Sequence, residues 1–130
     1  MAMQDEVSRL WQRARVIEQG SDSERIRRAY EEIVGLDPLQ PAAWLKLSQL
    51  SLHEGDYRDA RNAALRAAEA TRLSGRWRAL PYVTMQLLHF DERVLVTDLV
   101  AQADWNHEAV LSQAAALAQR LWLADAAEVA

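Results

Sequence analysis

The sequence predicts an all-α fold, an α-solenoid of about seven helices stacked as three to three and a half helix-turn-helix hairpins. Three observations carry this expectation. Polar joints recur through the chain, reading Gly20-Ser21-Asp22-Ser23-Glu24, Glu54-Gly55-Asp56-Tyr57-Arg58 and His89-Phe90-Asp91-Glu92-Arg93, with a degenerate Leu123-Ala124-Asp125 at the end. The apolar residues behind these joints, Ile26, Ala60, Val94 and Ala127, are spaced 34, 34 and 33 apart, and Trp11, Trp44 and Trp77 lie 33 apart. Only four Gly and three Pro interrupt a chain rich in Ala, Leu, Arg, Glu and Gln, residues that favour helix.

The elements follow in order. Val7, Leu10, Trp11, Ala14 and Ile17 have the spacing of one helical face. Asp22 or Ser23 caps a second helix whose stripe is Ile26, Ala29, Tyr30 and Ile33. Leu36-Asp37-Pro38 ends it, because the residue before proline is disfavoured in the α region. Pro41 suits the first turn of helix three, which carries Trp44, Leu45, Leu47, Ser48 and Leu52. Gly55 closes it and Asp56 caps helix four, with Tyr57, Ala60, Ala63, Ala64 and Ala67 on one side. Ser74-Gly75 breaks the chain, and helix five runs from about Arg78 to His89 with Pro81 near its first turn. Helix six follows Asp91 to about Gln102. Its Val94-Leu95-Val96-Thr97-Asp98-Leu99-Val100 is rich in β-branched residues, and propensity alone favours a strand there. Helix is preferred because Val94, Leu95, Asp98 and Ala101 align with the earlier units. Helix seven starts near Asp104 or Asn106 and carries Val110, Leu111, Ala114, Ala115 and Leu117. Leu123–Ala130 either begins helix eight or continues helix seven.

Composition bounds the function. The 130 residues suit one domain, and half of them are apolar, so folding is expected. With 15 basic and 19 acidic residues the net charge is −4, which speaks against non-specific binding to nucleic acid or to an anionic membrane. Without cysteine there is no disulfide, thiolate nucleophile or thiolate metal site. No apolar run reaches the ~20 residues of a membrane span, and the N-terminus lacks the basic and apolar regions of a signal peptide. A cytoplasmic protein is expected. Lys46 is the only lysine among the basic residues, and the Arg- and Ala-rich bias is common in GC-rich bacterial genomes.

The segment Pro41–Ala67 resembles the tetratricopeptide repeat. Trp44, Leu47, the small Ser48, Gly55-Asp56-Tyr57, Ala60 and Ala67 stand at its motif positions. Ala29-Tyr30-Glu31-Glu32-Ile33 and Leu36-Asp37-Pro38 look like the second helix and end of a preceding repeat. The resemblance implies a right-handed solenoid with repeats at about 7–40, 41–74 and 75–107 and a partial one at 108–130. It also implies small residues where paired helices cross and a Tyr57 that plugs the seam. The chain departs from the pattern at Ser21 and Ser23, and at Tyr82, where a small residue is usual. The function implied is that of a non-catalytic scaffold holding a peptide or partner protein in a concave groove lined by first helices.

Catalytic readings are weaker than structural ones. His53, His89 and His107 are far apart in sequence and lack the spacing of a helical metal site. A helix-end role suits His53 and His89. Adjacent acids such as Glu31-Glu32 and Asp91-Glu92 point about 100° apart on a helix and do not converge. No serine sits in a nucleophile elbow, and the glycines form no phosphate loop. No enzyme activity, cofactor or metal is expected.

The groove candidates are Trp11, Arg15, Lys46, Gln49, His53, Arg76, Val83, Gln86 and Gln119. The known carboxylate clamp of some tetratricopeptide domains is not supported, since its Asn residues are absent. The partner is expected to be a protein or peptide, with neither nucleic acid nor membrane. Two alternatives stand beside this. The ending Ala126-Ala127-Glu128-Val129-Ala130 lacks a capping helix, which suggests a piece of a longer chain. The later repeats are similar to those preceding bacterial sulfotransferase-like domains, and this resemblance implies the N-terminal region of such an enzyme. A homo-oligomer paired through the C-terminal face is the other alternative. On the longer-chain reading, Trp122 is exposed only because the rest of the chain is missing.

Overall fold

A computed structural model describes the backbone of residues 2–129 and the side chains of residues 4–119. It contains seven α-helices: α1 Ala2–Glu18, α2 Ser23–Leu36, α3 Pro41–His53, α4 Tyr57–Ser74, α5 Leu80–His89, α6 Arg93–Ala103 and α7 His107–Val129. A single 3-10 turn, Trp77–Ala79, precedes α5. Among the described residues there is no strand, so the β-branched 94–100 segment is helical. The stretch after Leu123 continues α7. The Trp122 side chain lies outside the described residues.

The helix ends have local causes. The Asp22 carboxylate accepts from the Glu24 and Arg25 amides, Asp56 from Asp59, and Asn106 from Ala109 at 2.9 Å. Each replaces an intrahelical acceptor that a first turn lacks. Gly55 and Asp91 both adopt left-handed φ, 82° and 58°. Behind them Asp56 N–H reaches Ser51 O and Glu92 N–H reaches Leu87 O, the hydrogen bond of a Schellman ending. The two turns are therefore equivalent, and they lie 36 residues apart. The first-turn bonds agree: Ile26 to Asp22, Ala60 to Asp56 and Val96 to Glu92 mark units of 34 and then 36 residues.

This corrects the third unit. Val94, expected behind its joint, is 77% exposed, and Val96, Leu99 and Val100 are buried instead. Trp77 is not the counterpart of Trp44; it sits in the 3-10 turn, and Leu80 takes the corresponding place in α5. The small residue at the helix crossing is Thr84, not Tyr82. Ala14, Ser48 and Thr84 occupy that place in α1, α3 and α5, all at 0% exposure.

Among the described residues the main packing is between elements near one another in the chain. Each helix packs on the next, and α3 packs on α5, α5 on α7 and α4 on α6. Two apolar cores result. One holds Ala14, Ala29, Tyr30, Ile33 and Leu47; the other holds Ala64, Leu80, Leu87, Leu99 and Val110, and Trp44 packs on both. Ala60, Ala64 and Ala67, at 0% exposure, let α4 approach α3 closely, where the Ser48 hydroxyl donates to the Ala60 carbonyl at 2.6 Å. Tyr57 does not plug the seam. It is 55% exposed, with its ring edge-on to Phe90 at 4.9 Å.

Candidate functional site

A cavity of about 680 Å³ is an open groove bordered by α3, α5 and α7. Helix α3 contributes Gln49, Leu52 and His53, and α5 contributes Met85, Leu88 and His89. These are three equivalent pairs, each 36 residues apart, so successive first helices present the same face to the groove. Helix α7 supplies the facing wall with Leu111, Ala114, Ala115 and Ala118. Among the described residues the lining contains no Asp, Glu, Lys or Arg.

Gln86 lies in the floor, only 4% exposed. Its Nε2 donates to Ser48 Oγ at 3.0 Å. The Ser48 proton is already given to the Ala60 carbonyl, so Ser48 can only accept from Gln86. That fixes the amide orientation and leaves Gln86 Oε1 as the hydrogen-bond acceptor that the floor offers.

The nine sequence-derived candidates divide into those the groove includes and those it does not. Gln49, His53 and Gln86 line it. Val83 is fully buried in the core, a correction that follows from the two-residue offset: 34 residues after Gln49 is Val83, whereas the structural equivalent is Met85. Arg76 is held elsewhere, donating to the Leu39 carbonyl at 2.6 Å and pairing with Asp37 at 3.3 Å. Trp11 packs edge-on against Tyr30 at 5.7 Å. Arg15 and Gln119 are exposed on α1 and α7 and line no part of the cavity. Sequence reasoning missed Leu52, Met85, Leu88, His89 and the α7 wall. The signal for the α5 residues was the 36-residue offset itself.

Lys46 belongs to a separate polar cluster. Its Nζ donates to Glu18 at 3.0 Å, and the buried Tyr30 hydroxyl donates to the other Glu18 oxygen. Burial pushes the Glu18 carboxyl up, but the hydrogen bonds from Tyr30 and Lys46 outweigh it and hold the group below its ordinary value. Tyr30 is driven well above the usual phenol range, by burial first and then by its bond to Glu18. This cluster ties α1, α2 and α3 together.

Arginines brace the units at the joint edge. Arg27 of α2 reaches Glu54 at 2.7 Å and Ser51 Oγ at 3.1 Å. Arg61, 34 residues on in α4, reaches Glu92 with Nε at 2.9 Å. In each case the fifth residue after a cap grips the joint of the following hairpin.

Among the described residues no group of three or more His, Asp or Glu is placed to hold a metal ion, and no helix is long and apolar enough to cross a membrane. No protein-family model, curated protein or solved structure matches the chain.

Proposed function

We propose that the chain is a tetratricopeptide-like right-handed solenoid and works as a cytoplasmic, non-catalytic scaffold that holds a peptide segment of a partner protein. The groove between α3, α5 and α7 carries this reading. Its described lining is mainly apolar, and its polar groups are few and placed: the fixed Gln86 acceptor, Gln49 and two histidines. Apolar concavities with a small number of oriented polar groups are what ligand sites offer, and an apolar groove between helices is a recurrent way to take a peptide or helix. The main packing, between helices one or two apart in the chain, supports the solenoid.

The test is selection of binders from a displayed library of random twelve-residue peptides on the immobilised full chain. Selected peptides are expected to lose binding to Met85→Glu and Ala115→Arg, both groove-lining positions that are not fully buried. They are expected to keep it with Val94→Arg, which alters an exposed residue outside the groove. Circular dichroism confirms that each variant is folded. Peptides that bind both groove variants as well as the native chain refute the reading.

A further inference from the structure

A hydrogen-bond acceptor at the bottom of an apolar groove restricts what the groove can take. Gln86 is 4% exposed and lines the cavity. Its Nε2 donates to Ser48 Oγ at 3.0 Å, and the Ser48 proton goes to the Ala60 carbonyl at 2.6 Å. The amide therefore has one orientation, and Oε1 is left as an acceptor. Among the described residues no donor reaches Oε1. Thr84 Oγ1 is the buried side-chain atom there that lacks both a partner and solvent, so Gln86 Oε1, also without a described partner, is open to the cavity.

Leu52, Met85, Leu88 and Leu111 line the same cavity, each only partly buried. They keep apolar surface that a ligand would remove from water. A wholly apolar side chain over this floor would also strip Oε1 of water and return no hydrogen bond, a cost that offsets part of the apolar gain. The group that meets both demands is apolar and carries a donor. A peptide N–H brings a carbonyl beside it that needs a donor of its own at the same depth. An ammonium or guanidinium brings a charge that one neutral acceptor among leucines does not compensate. A phenol adds acceptor lone pairs. An indole is donor-only, through Nε1–H, on a large apolar ring, and the Met85 thioether is a favourable neighbour for the ring edge.

We propose that the groove selects an apolar peptide segment by a tryptophan side chain, whose ring lies among Leu52, Met85, Leu88 and Leu111 and whose indole N–H donates to Gln86 Oε1. The proposal rests on the groove-binding reading and names its ligand class. Ser48 acts through Gln86: by accepting from Nε2 it keeps Oε1 turned to the ligand. A site that presents a buried acceptor discriminates against a ligand of the same shape without the donor, because its own polar group is then left unpaired.

The experiment takes peptides from the library selection on the full chain and measures synthetic consensus peptides by fluorescence anisotropy. Groove-dependent peptides are expected to share one tryptophan, accompanied by Leu, Met or Phe. Replacing it by benzothienylalanine, which keeps the ring shape and puts sulfur in place of N–H, should weaken binding to the native chain about tenfold. Gln86→Leu removes the acceptor, and on that variant the two peptides should bind within about twofold of each other. On the native chain, NMR should show a nuclear Overhauser cross-peak between the bound indole proton and the Gln86 side-chain amide, a readout independent of how well Gln86→Leu folds. Groove-dependent peptides without tryptophan, a benzothienyl peptide that binds the native chain as well as its parent, a preference that survives Gln86→Leu, or a bound indole proton without that cross-peak overturn this inference and leave the groove reading standing. Peptides insensitive to Met85→Glu and Ala115→Arg overturn both.

Discussion

Replacing Ser48 by Ala and Thr84 by Val should move stability in opposite directions, although the two residues hold the same place in successive units. Ser48 is fully buried, gives its proton to Ala60 O at 2.6 Å and accepts from Gln86 Nε2 at 3.0 Å. Its loss removes two hydrogen bonds worth about 1 kcal/mol each. The expected cost is about 2 kcal/mol, and the Gln86 amide loses its fixed orientation. Thr84 is equally buried, but its Oγ1 has no partner. An unpaired buried hydroxyl is itself a cost, and Val keeps the branched shape without it, so Thr84→Val should stabilise by about 1 kcal/mol. For a chain of this size ~1 kcal/mol moves Tm by about 4 °C. Ser48→Ala should therefore melt about 8 °C lower and Thr84→Val about 4 °C higher. Urea titrations followed by circular dichroism should show the same order in midpoint at unchanged slope. If Thr84→Val destabilises as much as Ser48→Ala, the equivalence of the two positions and the account of their hydroxyls are wrong.

Other substitutions test the joints and cores. Gly55→Ala should lose about 1 kcal/mol in a thermal melt, because φ is 82° although the added methyl meets nothing within 4 Å. Asp91→Gly, at the matching left-handed position, should gain roughly 0.5 kcal/mol, since the ion pair it removes is about 80% exposed on both sides and worth little. Ala64→Leu, at 0% exposure between α3 and α4, should cost at least ~1–3 kcal/mol by overpacking, and near-complete tolerance in urea titration would contradict the close approach of those helices. Tyr30→Phe should cost about 1.5 kcal/mol at pH 7, where its hydroxyl bonds the Glu18 carboxylate. The Glu18 carboxyl is depressed in the folded state, so this contribution is full above the ordinary carboxylate range and fades as pH falls through the lower folded value. The gap between native and Tyr30→Phe midpoints should therefore narrow in acid; a constant gap from pH 7 to pH 3 would contradict the Tyr30–Glu18 bond.

The helical class was legible because caps and breakers act locally. Asp22, Asp56 and the prolines each set a helix boundary through their own backbone chemistry, and the alanines of α4 marked a close crossing. The third unit was misread because its punctuation is atypical. An Asp takes the left-handed position that Gly fills in the second unit, Glu92 stands where Asp is expected, and Trp77 offers a false landmark three residues before α5. A slip of two residues then turned Met85 into Val83 among the groove candidates, and a residue pointing into the core replaced one facing the cavity. Gln49 and His53 escaped because the second unit carries the most complete motif. The Arg27–Glu54 and Arg61–Glu92 braces, the Tyr30–Glu18–Lys46 cluster and the α7 wall depend on how distant helices meet, which no local pattern specifies.

The most direct test of the groove is methyl NMR of the full chain, with leucine, methionine and valine methyls labelled, during titration with a library-selected peptide. The account predicts that the largest shifts fall on Leu52, Met85, Leu88 and Leu111, while the exposed Val16, Leu73 and Val94 stay unmoved. Shifts concentrated on Val16, Leu73 or Val94, with the groove methyls silent, would contradict it.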